Sequence, residues 1–270
     1  MDLFVRECGP SSGPPIVFLH GGRLSGWSWR PVVERLPGFH CLVPDLPQFG
    51  RSADKGPFAM SAAAEAVADV IRSRAGMAHV VGYSLGAQVG LQLLATQPGL
   101  VARAVLCGAM VNRWPVARPA RALAGRCARA AGFRRLINRS FAARDAPVPV
   151  TDVDDYLEDL ALSSDVALAH IVMASVGFTR PEGLSESAVP TLLLSGTEET
   201  LLVRRTAGVL AKSMPYGIRA DATGMRHDWP LRCPGLFAAT VAGWLAGGVL
   251  PAEIRPARGG RVRRLGRSRR

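Results

Sequence analysis

Ser84 stands in Gly82-Tyr83-Ser84-Leu85-Gly86, a G-x-S-x-G pattern. An apolar run, Ala78-His79-Val80-Val81, leads into it, and a helix-forming stretch from Leu85 to Gln97 follows, stopped by Pro98-Gly99. The pattern gains chemical meaning from that strand-to-helix setting. Flanking glycines let the backbone close up, and the serine stands clear of the sheet. The helix N-terminus then offers unpaired N–H groups and a positive dipole end to a developing oxyanion. The bland alternative is a Gly-rich turn with an ordinary serine cap.

A lone serine is a poor nucleophile and needs a base. Of the five histidines, His227 fits this work, in Gly224-Met225-Arg226-His227-Asp228-Trp229-Pro230. It follows a weak strand around Ile218-Arg219-Ala220, in a loop where side chains converge at the C-terminal edge of an open sheet. His40, His79 and His170 sit in poorer contexts. The third member should be a carboxylate that fixes the imidazole tautomer and offsets its charge. The strand Thr191–Ser195 runs into Gly196-Thr197-Glu198-Glu199; Glu199 is the preferred acid and Glu198 the alternative. The chain order serine, acid, histidine is the one expected of this arrangement. The N–H of Leu85 and the N–H of Gly22, in His20-Gly21-Gly22-Arg23, would hold an oxyanion; His20 then braces that loop. The implied chemistry is attack on an ester, thioester or lactone carbonyl through an acyl-enzyme.

These residues require elements to carry them. Apolar runs at 16–19, 41–43, 78–81, 104–107 and 191–195, with the weaker one at 218–220, predict buried strands. Helical patterns fall between them: one after Ser61, taken as an N-cap, then Leu85–Gln97, Val203–Ser213 and Leu236–Leu245. Alternation of this kind predicts an α/β fold, a mostly parallel, doubly wound sheet covered on both faces. Residues 112–188 break the rhythm. They carry basic helical patterns (Ala117 to Arg139), an acidic stretch (Asp152 to Asp159) and a further helical run around Val166 to Val176, and read as an all-helical insertion. The expected domains are a core of 1–111 and 189–250, the insertion 112–188, and a disordered Arg-rich tail, 251–270.

The 270 residues are 48% hydrophobic, enough for one sizeable core. No apolar run reaches the roughly 18 residues of a membrane span, and Met1-Asp2-Leu3-Phe4-Val5-Arg6 does not read as a signal peptide. A cytoplasmic location is the expectation. The five cysteines are scattered, without a C-x-x-C or Cys/His cluster, so reduced thiols are expected and neither disulfides nor a metal site. The net charge is +12, but Lys55 and Lys212 are the only lysines and eight arginines lie in 255–270. That distribution reads as coding bias and a solvated tail more than phosphate contact, so no nucleic-acid partner is expected. The expected partner is a small-molecule acyl substrate, with no cofactor; a homodimer is compatible with the sequence but not specified by it.

With these residues in place, the chain resembles the α/β-hydrolase superfamily, in its esterase, lactonase and haloperoxidase-like branch with a helical cap. The resemblance covers about residues 14–250. It rests on the Ser84 turn, on His20-Gly21-Gly22 followed by Trp27, and on Asp45-Leu46-Pro47-Gln48-Phe49-Gly50-Arg51-Ser52. The Gly196 turn and His227 followed by Pro234 and Phe237 complete it. It implies that 112–188 is a cap over the site. It leaves open C–C bond hydrolysis, acyl transfer, cofactor-free haloperoxidation or a non-catalytic ligand-binding role, since fold does not separate these. A dehalogenase is disfavoured, because its nucleophile position would hold Asp. Three positions depart from the family pattern: Gln48 for a glycine, Glu-Glu where Asp is commoner, and Arg226 before the histidine.

Overall fold

The computed structural model describes residues 1–112, 126 and 152–257. Most of the basic helical pattern Ala117–Arg139, Cys127 and residues 258–270 lie outside the described residues. One eight-stranded sheet runs in the order β1-β3-β2-β4-β5-β6-β7-β8. Its strands are β1 (Val5–Cys8), β2 (Pro15–Leu19), β3 (His40–Pro44), β4 (Ala78–Tyr83), β5 (Val101–Cys107), β6 (Thr191–Gly196), β7 (Gly217–Ala222) and β8 (Ile254–Pro256). Strands β2 to β7 pair in parallel; β1 on β3 and β8 on β7 are antiparallel edges.

The parallel strands from β2 to β6 are largely buried on both faces and read as apolar runs, while β7 is half-buried and carries Arg219 and Asp221. Side-chain alternation still divides them. Val17, Leu19, Val80, Ala104, Leu106 and Leu193 face a cluster closed by α2 (Met60–Arg74), α3 (Leu85–Thr96) and the helix Leu201–Ser213. Ile16, Phe18, Val81, Val105, Leu192 and Leu194 face the opposite cluster. There α1 (Arg30–Val33) meets the helix Pro234–Leu245, and Trp29, Phe237 and Trp229 stack with ring centroids 5.1–5.5 Å apart. The result is an α/β-hydrolase architecture with helices on both sides of the sheet.

Two expectations need correction. The globular part does not end at Leu250, and residues 251–257 are not part of a disordered tail. Ile254, 3% exposed, anchors β8 against β7, and the Ala257 N–H donates to the Arg219 carbonyl. An apolar residue with one buried face outweighs the Pro/Arg composition around it. Ser61 is not the N-cap of α2 either. The helix begins two residues earlier than that cap implies, at Met60, whose side chain is buried, and Ala59 takes the cap position.

The chain between β5 and β6 adds α4 (Val153–Leu162) and α5 (Asp165–Val176), the latter capped by Ser164 accepting from the Ala167 N–H. A bridge between Asn112 and Thr179 joins the two ends of this insertion. Among the described residues no single helix is long and apolar enough to cross a membrane.

Candidate active site

Ser84, Gly108, Glu199 and His227 all follow the C-terminal ends of parallel strands, the edge where an open α/β sheet presents its loops. Ser84 lies between β4 and α3 at φ 52°, ψ −111°, a conformation that favours glycine. Such backbone persists only where its surroundings force it. Three features do so. The Ser84 N–H donates to the Cys107 carbonyl at 2.8 Å. A Cβ at Gly82 would lie 2.6 Å from the Gly86 carbonyl oxygen, and one at Gly86 would lie 2.1 Å from that of Leu19. Only glycine fits either position, so the turn closes and lifts the serine.

His227 Nε2 lies 3.1 Å from Ser84 Oγ, and His227 Nδ1 lies 2.9 Å from Glu199 Oε2. A carboxylate only accepts, so Nδ1 carries the ring proton and Nε2 is left free to accept from the serine hydroxyl. The Glu199 side chain is fully buried, while that of His227 is 44% exposed and open to an incoming molecule. The extra methylene of glutamate is absorbed by a fold-back: Glu199 Oε1 accepts the Gly196 N–H at 3.1 Å. Glu198 is exposed and makes no hydrogen bond to His227, so the structure brings Glu199 to the imidazole and not Glu198. Burial pushes the Tyr83 hydroxyl and the Cys107 thiol well above their usual ranges, so both stay neutral around the Glu199 charge. A Cβ at Gly108 would meet His227 Cε1 at 2.8 Å; the imidazole occupies the space a side chain would take.

The N–H groups of Leu85 and Gly22 have no protein acceptor among the described residues. A Cβ at Gly22 would touch only Leu85, at 4.0 Å, so the space beside it is open. The loop carrying Gly22 is held on the core side by His20. The Leu46 N–H donates to His20 Nε2 at 2.9 Å, which places the ring proton on Nδ1, facing the Gly21 carbonyl at 2.9 Å. Burial pushes the His20 pKa down to about 4. His20 is thus a neutral brace. Asp45, fully buried, accepts from the Gly26 and Arg51 N–H groups and pairs with Arg6 at 2.6 Å.

Two contacts escaped the sequence reading. Gln48 takes φ 65°, and its Oε1 accepts the Phe58 N–H at 2.7 Å and faces His170 Nδ1 at 3.2 Å. The side chain that replaces the family's glycine therefore ties the Asp45 loop to α5. The acidic stretch, expected only as part of the helical insertion, turns one of its faces onto the core. Asp152, Asp155, Tyr156 and Asp159, spaced as one helix face, dock on the Gly22 loop and α1. Arg30 pairs with Asp152 and Asp155, the Tyr156 ring packs edge-on to Trp27, and the Trp27 indole N–H donates to Asp159 Oδ2 at 2.6 Å. The i, i+3, i+4, i+7 spacing was the available signal. Among the described residues no cluster of three or more His, Cys, Asp or Glu side chains could hold a metal ion.

Residues 16–240 match the model of the alpha/beta hydrolase family. The chain is 27% identical to an AB hydrolase superfamily protein of Gibberella zeae, over 92% of this chain and 86% of that one. It is 25% identical to a pimeloyl-[acyl-carrier protein] methyl ester esterase of Yersinia enterocolitica, over 88% and 95%. The structure of the enol-lactonase from Burkholderia xenovorans superposes with a TM-score of 0.74 at 20% identity, covering 90% of this chain and 96% of that one.

Proposed function

The chain belongs to the alpha/beta hydrolase family, and on that premise we propose that it is a serine hydrolase cleaving a small ester, thioester or lactone through Ser84. The observation that carries this reading is the unbroken line from Ser84 Oγ through His227 to the buried Glu199. Ser84 Oγ attacks the carbonyl carbon as its proton passes to His227 Nε2. Glu199 offsets the imidazolium charge. The Leu85 and Gly22 N–H groups receive the oxyanion, and collapse expels the alcohol or thiol, or opens the lactone, with the proton returned by His227. His227 then takes a proton from water, which attacks the acyl carbon and releases the acid. Residues 112–188 act as a cap over this site, with α4 and α5 as its described part.

Ser84→Ala tests the assignment. Hydrolysis of p-nitrophenyl acetate should fall by roughly 10⁴- to 10⁶-fold in kcat, as when the nucleophile of such a unit is removed. Labelling by a fluorophosphonate probe should vanish with it. A variant that turns over as fast as the native chain would end the reading. A panel of methyl esters, thioesters and lactones then ranks the acyl substrates; the relatives' names point to the first and the last of these.

A further inference from the structure

We propose that Asp159 is a positioning residue for the oxyanion-binding loop: from α4 it holds the Trp27 indole, and through Trp27 it fixes the loop that presents the Gly22 N–H. The inference rests on the serine-hydrolase reading of Ser84.

Trp27, 3% exposed, ends the segment that begins at His20, and its indole N–H reaches Asp159 at 2.6 Å. The loop between is under strain that something must hold. Arg23, the residue after Gly22, has φ 67°, and its guanidinium reaches the Tyr156 hydroxyl on the same face of α4. The core braces this loop at its ends, through His20 and through Asp45 on the Gly26 N–H. In and just beyond this stretch Leu24 and the Trp27 ring pack into the core, and α4 adds polar side-chain contacts at Arg23 and at the Trp27 indole.

The groups around Asp159 are few. Trp27 and Ser25 face it from the loop, Asp45 from the end of β3 and Arg6 from β1. Arg23, Gln48, Leu168 and Ile171 share with it a cavity of about 40 Å³, room for only a few waters, and His170 is turned to Gln48. Arg51 lies over the Phe4 ring. Burial raises the Asp159 pKa to about 6, against the pull of the Trp27 hydrogen bond. The docked helix therefore prefers the protonated acid. Docking tightens as pH falls through 6 and loosens above it.

Three variants test this. Asp159→Ala removes the acceptor and should lower kcat on p-nitrophenyl acetate on the order of tenfold, with KM nearly unchanged, as a loop displaced by a fraction of an ångström does. Asp159→Asn keeps an oxygen acceptor and should restore kcat to within about twofold of native. Trp27→Phe should match Asp159→Ala, because each removes one end of the same bond. A separate arm is independent of catalysis. The emission difference between the native chain and Trp27→Phe should change with a midpoint near pH 6, and that change should disappear in Asp159→Asn. Equal losses in Asp159→Ala and Asp159→Asn, a loss confined to KM, or a pH-invariant Trp27 signal would each overturn the proposal. Failure of the underlying reading looks different: Ser84 would go unlabelled in the native chain itself.

Discussion

The Gly22 loop is gripped from two sides, and the two grips are built differently. On the core side most donors are main-chain groups: the Leu46, Gly26 and Arg51 N–H groups reach His20 and Asp45, both fully buried, and the Arg6 guanidinium joins them on Asp45. On the insertion side the described hydrogen bonds run side chain to side chain, from Arg23, Trp27 and Arg30 to Tyr156, Asp159, Asp152 and Asp155. A main-chain donor cannot swing away without unfolding the turn that holds it. Paired side chains release by rotamer change at a cost of one interaction each. One side therefore sets the position of the loop, and the other adjusts it. The strain agrees with this division: of the described non-glycine residues at positive φ, Arg23 and Gln48 both contact the insertion, and Ser84 stands at the sheet edge.

The largest expected effect probes the core grip. Asp45→Ala strands the buried Gly26 N–H and takes the acceptor from the part-buried Arg51 N–H and from the Arg6 guanidinium, which is 26% exposed. Removing one partner of a buried pair costs on the order of 3–5 kcal/mol. Urea unfolding should show a loss of that size, at least twice the loss for Asp159→Ala. Equal losses would erase the distinction between the grips.

Acidification should separate them by sign. The His20 pKa is pushed down to about 4, below its ordinary 6.5. As pH falls from 6.5 the unfolded chain takes that proton first, so stability declines until about pH 4, by roughly 3 kcal/mol in all. Asp159 does the reverse. Its pKa of about 6 lies above the ordinary 3.8, so the folded chain takes the proton first and gains stability as pH falls through that window. His20→Gln, which keeps an acceptor for the Leu46 N–H, should flatten the decline between pH 6.5 and 4. Asp159→Asn should steepen it. Chemical denaturation at pH 7, 5.5 and 4.5 reads both slopes, and slopes of the same sign would contradict the assignment.

The same contrast explains what the sequence made legible. Strands β2 to β6 announce themselves because both faces are buried and each reads as an apolar run, while β7, half-buried and carrying Arg219 and Asp221, gives the weaker signal. The edge strands do not. Val5-Arg6-Glu7-Cys8 and Ile254-Arg255-Pro256 carry exposed polar residues and depend on a neighbour to become strands at all. Ser84, Glu199 and His227 could be located because each follows a recognisable strand, so topology does the positioning. Gln48 and Asp159 could not. Gln48 meets His170 and Asp159 meets Trp27 across 122 and 132 residues, and each bond joins the core to an insertion whose docking angle no local pattern encodes.

The smallest effect tests the insertion grip at its most exposed point. The Arg30 side chain is 44% exposed and bridges Asp152 at 2.5 Å and Asp155 at 2.8 Å. Solvent screening and the entropy of holding a long side chain limit such pairs to about 1 kcal/mol or less. Arg30→Ala should therefore cost no more than that in urea unfolding, and the loss should shrink further in 0.5 M salt. Asp152 is itself buried, so the bridge to it should account for most of the salt-resistant remainder. A salt-independent loss above about 2 kcal/mol would mean that α4 is fixed as firmly as the core grip, and an adjustable side of the loop would no longer follow from the structure.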